Sequence, residues 1–290
     1  MKKSLKPYLA LVTGILALSM SGIFVRLANA PGVVTSFYRM FIASMIMLPF
    51  FWNYVRKHRN SALNWHYLWL PLLGGIFTGL DHYTWSTAIG YTRIANATLM
   101  NYIAPLWVAL FAHFLWKQQL KQRFWIGLVL TLCGIFAIFG NDMLTAPQLG
   151  MGDLLAIFSS LFYAGYFLIT QRGREYFQTL PYVWVVALGS AVTLLIIVFL
   201  SGHPLAGYPL KTYLAFLGAA LLSQVIGYFS VGYALGHISA AVVAPTMLAS
   251  PVLAALLAIP LTGETLAPVQ YLGGLISLSG IYLINRHTAN

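Results

Sequence analysis

The sequence predicts an all-α polytopic membrane protein whose ten transmembrane helices form two five-helix repeats of inverted topology. Three observations lead there. Of 290 residues, 60% are hydrophobic and 7% charged, whereas soluble domains average about 25% charged. Apolar runs close to the roughly 20 residues needed to cross a bilayer recur along the chain, separated by short polar breaks. Finally, Ala88–Gly134 and Ala234–Gly280 superpose at one constant offset without a gap. That offset matches Gly90 with Gly236, Ala95 with Ala241, Pro105 with Pro251, Leu120 with Leu266, Gly127 with Gly273 and Gly134 with Gly280. An internal duplication of this kind is the signature of a repeat architecture.

The elements follow in chain order. Lys2, Lys3 and Lys6 precede the apolar run Tyr8 to Val25, and Ala28-Asn29-Ala30 follows it. These are the parts of a cleaved signal peptide, but the run approaches a full span and everything downstream is membrane-like, so an uncleaved first helix is the preferred reading. Pro31-Gly32 turns the chain. Further spans read as Val33 to Val55, Trp65 to Ile89, Ile94 to Trp116, Phe124 to Phe139, Gly152 to Thr170, Tyr182 to Leu200, Tyr213 to Leu235, Ile238 to Leu261 and Pro268 to Ile284. Residues 1–140 and 150–286 form the two repeats. Tyr8, Tyr54, Trp65, Trp69, Trp116, Trp125 and Tyr213 stand near span ends, where amphipathic rings favour the headgroup region. Pro105 and Pro251 interrupt corresponding helices of the two halves, each removing a helical hydrogen bond; paired interruptions of this sort point to a transport site, though both also serve as packing kinks.

The formal charge of +11 does not indicate nucleic acid, because the basic residues lie in short loops between apolar runs instead of on one folded face. The positive-inside rule explains them. With the N-terminus in the cytoplasm, one set of span ends holds Lys2, Lys3, Lys6, Arg56, Lys57, Arg59, Lys117, Lys121, Arg123, Arg172, Arg174 and Arg286, while the other holds Arg93 and Lys211. Both termini are then cytoplasmic. Five spans per half make the second half cross in the opposite sense to the first, which suits alternating access around a central site.

Within the second copy, Ser239-Ala240-Ala241 through Pro245, Ser250-Pro251 and Leu261-Thr262-Gly263-Glu264-Thr265-Leu266 to Gly273-Gly274 resembles the repeat of the EamA-type transporters in the drug/metabolite transporter superfamily. Gly22-Ile23-Phe24-Val25-Arg26-Leu27 and Phe37-Tyr38-Arg39-Met40 are similar to the start of that family's first half. The resemblance covers nearly the whole chain. It implies a secondary transporter in a bacterial-type inner membrane, exporting amino acids or related metabolites; uptake or exchange of another solute, such as a nucleoside or drug, stands beside it. The chain departs from the family pattern where the second copy has Glu264 and the first has Gln118, a position set among Lys117, Lys121 and Arg123.

Chemistry is sought where polar groups enter the bilayer, since they are costly there unless paired or facing water. Asp81 is the carboxylate deepest within a span, and Thr78, Asp81, His82 and Trp85 share a helical face. Two readings stand: a substrate-facing stripe that binds an ammonium group or relays a proton, or a structural ion pair with Arg26 or Arg39. Arg39 has a third option, snorkelling to the interface, which is the default for Arg26. Further polar stripes run through Asn101 and Tyr102; Ser159, Tyr163, Tyr166 and Thr170; Gln224 and Tyr228; and Thr246 and Ser250. Together they fit an aromatic-lined central cavity suited to an organic solute, and singly each also fits a helix–helix contact. Gly14, Gly74-Gly75, Gly79 and Gly273-Gly274 read as close-packing positions.

Enzyme readings find little support. There is no Walker-type loop for nucleotide drive, no HExxH or Cys/His cluster, and Cys133 lies alone in an apolar helix. No cofactor, metal or catalytic residue is expected; the partners are a small-molecule substrate and the lipid bilayer, with coupling to protons or exchange, and no signal for oligomeric state is present. The alternative of another class is a membrane enzyme or lipid-handling protein using Asp81 and His82 as acid and base.

Overall fold

The computed structural model describes residues 5–58, 64–92, 94–140, 150–262 and 266–288. Among them the chain is helical, with no strand. The helices are α1 (Lys6–Ser19), α2 (Ser21–Ala28), α3 (Gly32–Lys57), α4 (Trp69–Ala88), α5 (Ile94–Asn101), α6 (Ala104–Phe114), α7 (Gln122–Phe139), α8 (Met151–Gly173), α9 (Thr179–Ser201), α10 (Leu210–Ala219), a π-helical segment (Ala220–Tyr228), α11 (Phe229–Leu235), α12 (Ala240–Thr246), α13 (Ala249–Thr262) and α14 (Pro268–Thr288). Eight stretches among the described residues are long and apolar enough to cross a membrane. Two more helices, α4 and α14, have comparable length with more polar sequences: α4 carries Thr78, Asp81, His82, Thr84, Ser86 and Thr87, and α14 carries Gln270, Asn285 and Arg286. Large apolar side chains such as Leu200, Phe199 and Leu275 point outward, as lipid-facing residues do in a bundle whose backbone groups are satisfied within its helices.

Several spans are interrupted. The first breaks at Met20, between α1 and α2. The fourth breaks between Asn101 and Ala104, and the ninth between Thr246 and Ala249. Pro105 therefore does not bend the middle of a continuous helix, as the sequence suggests; it occupies the first turn of α6, where its missing N–H and fixed φ cost nothing. Pro251 takes the corresponding place near the start of α13.

The polarity of the two halves is legible at the α7–α14 contact. A methyl group at Gly127 would lie 2.8 Å from the Gly280 carbonyl oxygen, and one at Gly273 would lie 2.7 Å from that of Gly134. Residue numbers rise along one helix as they fall along the other, so the pair is antiparallel. Gly127 and Gly273 are repeat equivalents, as are Gly134 and Gly280. The interface thus exchanges onto itself, as two copies related by an axis in the membrane plane require. Small residues allow this backbone approach, the main source of helix association where lipid tails remove the hydrophobic drive.

The other contacts obey the same exchange. α1 packs on the π-helical segment as α8 packs on α4; α3 meets that segment as α9 meets α4; and α13 packs on α1 as α6 packs on α8. Across α3 and α9, Phe51 stacks on Trp184 at 3.9 Å and the Trp184 indole donates to the Ser44 carbonyl at 3.0 Å. The Tyr38 hydroxyl donates to the Leu205 carbonyl and its ring stacks on Phe216, while Thr212 donates to the Ala28 carbonyl. Those contacts close the end of the bundle opposite the start of α1.

Candidate functional site

The local packing of α4 explains where its polar groups go. A methyl at Gly75 would come 2.8 Å from the Val186 carbonyl oxygen, and one at Gly79 would come 2.9 Å from Thr193. With that face held against α9, Asp81 reaches α5 and α8 while His82 reaches α3. Both are buried, at 5% and 9% exposure.

Asp81 is surrounded by donors. The Ser159 hydroxyl on α8 lies 2.5 Å from Asp81 Oδ1, and the Asn101 amide at the end of α5 donates to the same oxygen at 3.0 Å. Asn101 also donates to Ser159 Oγ at 2.7 Å. The break after Asn101 matters here, because it frees the last turn of α5 to present that amide between α4 and α8. Burying a carboxylate costs several kcal/mol unless hydrogen bonds compensate, and these donors supply the compensation. Oδ2 has no hydrogen bond among the described residues; it faces His82 Nδ1 at 3.7 Å, beyond hydrogen-bond length.

Arg39 completes the group from α3. It is 7% exposed, so it does not snorkel. Its guanidinium contacts His82 Nε2, and Nη1 reaches the Ser21 hydroxyl at 3.4 Å. A guanidinium can only donate, so His82 Nε2 accepts and the ring proton sits on Nδ1, pointing toward Asp81 Oδ2. The imidazole therefore lies between Arg39, which it contacts, and Asp81, from which it stands 3.7 Å; no direct ion pair between Arg39 and Asp81 occurs among the described residues. Arg39 Nε has no partner there either. The side chain of Arg26 lies outside the described residues, as do Arg93 and Glu264.

An aromatic wall stands beside this polar group. Tyr163 and Tyr166 lie nearly parallel with centroids 6.4 Å apart, and Tyr228 of the π-helical segment meets Tyr166 edge-on at 5.6 Å. Gln224, one turn before Tyr228, is 1% exposed and its Oε1 has no partner among the described residues. A π-helical stretch re-aims side chains and often marks functional positions; here it carries Gln224 and Tyr228, while Ser159, Tyr163 and Tyr166 come from α8 of the same half.

Other expected residues go elsewhere. Thr78 bonds back to the Gly74 carbonyl at 2.8 Å, and Tyr102 packs against Phe139. Trp85 is half-buried, without a hydrogen bond to the group. Thr170 accepts from the Tyr182 hydroxyl, and Thr246 bonds to the Val242 carbonyl and to Asn285, both interhelical contacts of the structural kind. Ser21 is a partner that sequence reasoning missed. Its signal was faint: a serine beside a glycine within an apolar run, just where the first span breaks.

Comparison with known proteins gives the same architecture. The model of the EamA-like transporter family matches residues 5–140 and again residues 150–286. The uncharacterized transporter YdfC of Bacillus subtilis (strain 168) is 25% identical over 276 residues, spanning 94% of this chain and 88% of its own. An uncharacterized transporter of Archaeoglobus fulgidus is 24% identical, covering 96% of this chain and 95% of its own. A crystal structure with 18% identity superposes with a TM-score of 0.80 over 97% of this chain and 96% of its own, a likeness of fold. With the family's domain found twice and covering nearly all of a helical bundle whose halves pack through equivalent glycines, the chain belongs to the EamA-like transporter family.

Proposed function

We propose that this protein is a secondary transporter that moves a small organic metabolite by alternating access, and that it exports amino acids or related metabolites. The observation that carries this reading is the buried constellation of Arg39, His82 and Asp81, with Asn101 and Ser159 as donors, beside Tyr163, Tyr166 and Tyr228. A carboxylate with one oxygen free of hydrogen bonds among the described residues offers a seat to a substrate ammonium group or to a proton. The Nε of Arg39, without a partner among the described residues, offers a donor to a carboxylate, and the tyrosines offer a flat apolar wall with polar edges. A zwitterion with an organic side chain uses all three.

The antiparallel equivalence of α7 and α14 supports the alternating mechanism, because two similar halves of opposite polarity exchange which side of the site is open. The breaks before Pro105 and after Thr246 supply places where helices bend without losing further hydrogen bonds. Residues 1–140 and 150–286 act as the two moving units. The loop distribution of Lys and Arg supports cytoplasmic termini in a bacterial inner membrane, and drive comes from protons or from solute exchange.

Counterflow in proteoliposomes tests the reading. Labelled amino acids, nucleosides and cationic drugs are offered in turn, with Asn101→Ala and Tyr166→Ala as controls. Saturable exchange of amino acids, weakened in both variants, is the expected result. Exchange of nucleosides or drugs alone rejects the substrate class, and no exchange by folded, inserted protein rejects transport of all three classes.

A further inference from the structure

A second group of polar and aromatic side chains lies away from the Asp81 centre, at the end of the bundle where α3 and α11 finish and α9 begins. It lines a cavity of about 950 Å³ whose walls include Tyr54, His58, Arg174, Phe177, Tyr233 and His237. In sequence these residues are scattered over the ends of α3 and α11 and the α8–α9 connection, and His237 looks isolated.

Two of its walls are built alike. His58 stacks on Tyr54 with centroids 4.4 Å apart and bonds through Nδ1 to the Tyr54 carbonyl at 3.0 Å. His237 packs against Tyr233 with the rings tilted at 38° and centroids 4.6 Å apart, and bonds through Nδ1 to the Tyr233 carbonyl at 2.9 Å. Each imidazole thus braces a tyrosine one helical turn earlier, holding two flat rings at the edge of one cavity.

Arg174 supplies the charge. Its Nε donates to the Gly232 carbonyl at 3.0 Å and its Nη1 to the Phe177 carbonyl, so the guanidinium is fixed by backbone acceptors. No carboxylate lies within ion-pair distance of it among the described residues; Glu175, which also lines the cavity, is paired with Arg172 at 2.5 Å. Burial pushes the Arg174 guanidinium below its ordinary pKa. Nη2 lies beside Gly236, where a methyl group would stand 2.7 Å from it. The missing side chain leaves that nitrogen uncovered.

We propose that this cavity is a second binding site, separate from the Asp81 centre, for a planar organic anion: the carboxylate on Arg174 and the flat part between Tyr54 and Tyr233. A fixed, half-buried guanidinium with an uncovered N–H recognises a carboxylate by charge-assisted hydrogen bonding. The paired rings recognise an apolar plane. An anionic lipid headgroup shares the charge and reaches this end of the bundle from the bilayer.

Calorimetric titration of purified protein in neutral detergent with benzoate, and with benzylamine as its cationic match, tests the proposal. Benzoate is expected to bind and benzylamine not. Arg174→Gln is expected to weaken benzoate about tenfold or more, the loss of a charged hydrogen-bond partner. Because that change also removes bonds to Gly232 and Phe177, Gly236→Ala is the second variant. Gly236 has φ −77°, an ordinary backbone for alanine, so the backbone is unstrained; the added methyl, 2.7 Å from Nη2 and 3.0 Å from Cζ and Nε, crowds the guanidinium out of its place, and benzoate is expected to weaken several-fold. Repeating the titration in nanodiscs of phosphatidylcholine with and without phosphatidylglycerol separates the sources of the anion. Competition by phosphatidylglycerol that disappears in Gly236→Ala assigns the site to a headgroup; none assigns it to a soluble anion. Equal benzoate affinity in wild type and both variants, or equal affinity for benzoate and benzylamine, overturns the proposal.

Discussion

At the α7–α14 crossing, the two copies of the repeat present the same residues to each other, Gly127 against Gly280 and Gly134 against Gly273. Extending the same superposition back to α4 and to Leu210–Leu235 gives a different result. There Thr78 falls on Gln224, Asp81 on Gly227 and His82 on Tyr228. The first-half helix is regular and pressed against α9 through Gly75 and Gly79, where its equivalent has Leu221 and Val225 and winds as a π-helix. The contrast separates two tasks. A backbone contact on the two-fold axis must suit both copies at once, so its residues are alike. A site between the halves has no such requirement, and here one half supplies Arg39, Asp81 and His82 while the other supplies neutral and aromatic groups.

Breaking the symmetric region carries the largest expected effect. In Gly134→Leu the new Cβ alone meets the backbone of Gly273 and Ser277. Neither can yield as a flexible side chain does, so α7 and α14 must separate. Overpacking costs roughly 1–3 kcal/mol when a core can adjust, and two helix backbones adjust poorly. Most of the protein is expected to leave the monodisperse peak in detergent size-exclusion chromatography. An unshifted melting temperature in this variant would contradict the described contact.

The asymmetric region should respond in function before stability. Asp81→Asn keeps the shape and the hydrogen bonds to Ser159 and Asn101 but removes the charge. Flux driven by a pH gradient is expected to fall roughly tenfold or more, above ~1.4 kcal/mol in barrier terms, with counterflow exchange still measurable. Normal gradient-driven flux removes Asp81 from coupling. Arg39→Lys is expected to do less. An ammonium retains the charge but lacks the fork that contacts His82 and Ser21 together, so exchange is expected to slow several-fold. A variant with the full wild-type rate shows that the charge alone matters.

Much of the scaffold was legible in the sequence because membrane spans declare themselves through long apolar runs, and because Gly127, Gly134, Gly273 and Gly280 recur at a fixed offset. The Asp81 centre was legible for a related reason: a carboxylate inside a span is costly enough to stand out. What was not legible depends on distances between helices. Nothing along α3 says that Arg39 will meet His82 instead of Asp81, and nothing around Met20 says that Ser21 will receive the guanidinium. Pro105 shows a different limit. Its chemistry gives an interruption, but whether the chain bends through the proline or restarts just before it depends on what the freed turn gains, here the bonds of Asn101 to Asp81 and Ser159.

The smallest expected change in stability belongs to Gln224, and it sharpens the comparison most. The side chain is buried with an unpartnered Oε1 among the described residues, on the segment that replaces the Asp81 helix in the second half. A buried acceptor left unsatisfied costs about 1–3 kcal/mol, and exchanging it for an apolar group of similar shape is near neutral or stabilising. Gln224→Leu is therefore expected to keep or raise the melting temperature. If Gln224 serves only as helix packing, transport is unaffected as well. If it holds an acceptor ready for the solute, opposite the carboxylate of the first half, the same variant raises the half-saturating concentration in counterflow while the protein becomes no less stable. Loss of affinity without loss of stability is the signature of a group kept for binding, because a packing residue changes stability and leaves affinity as it was. A drop in melting temperature with unchanged affinity places Gln224 with the symmetric scaffold instead.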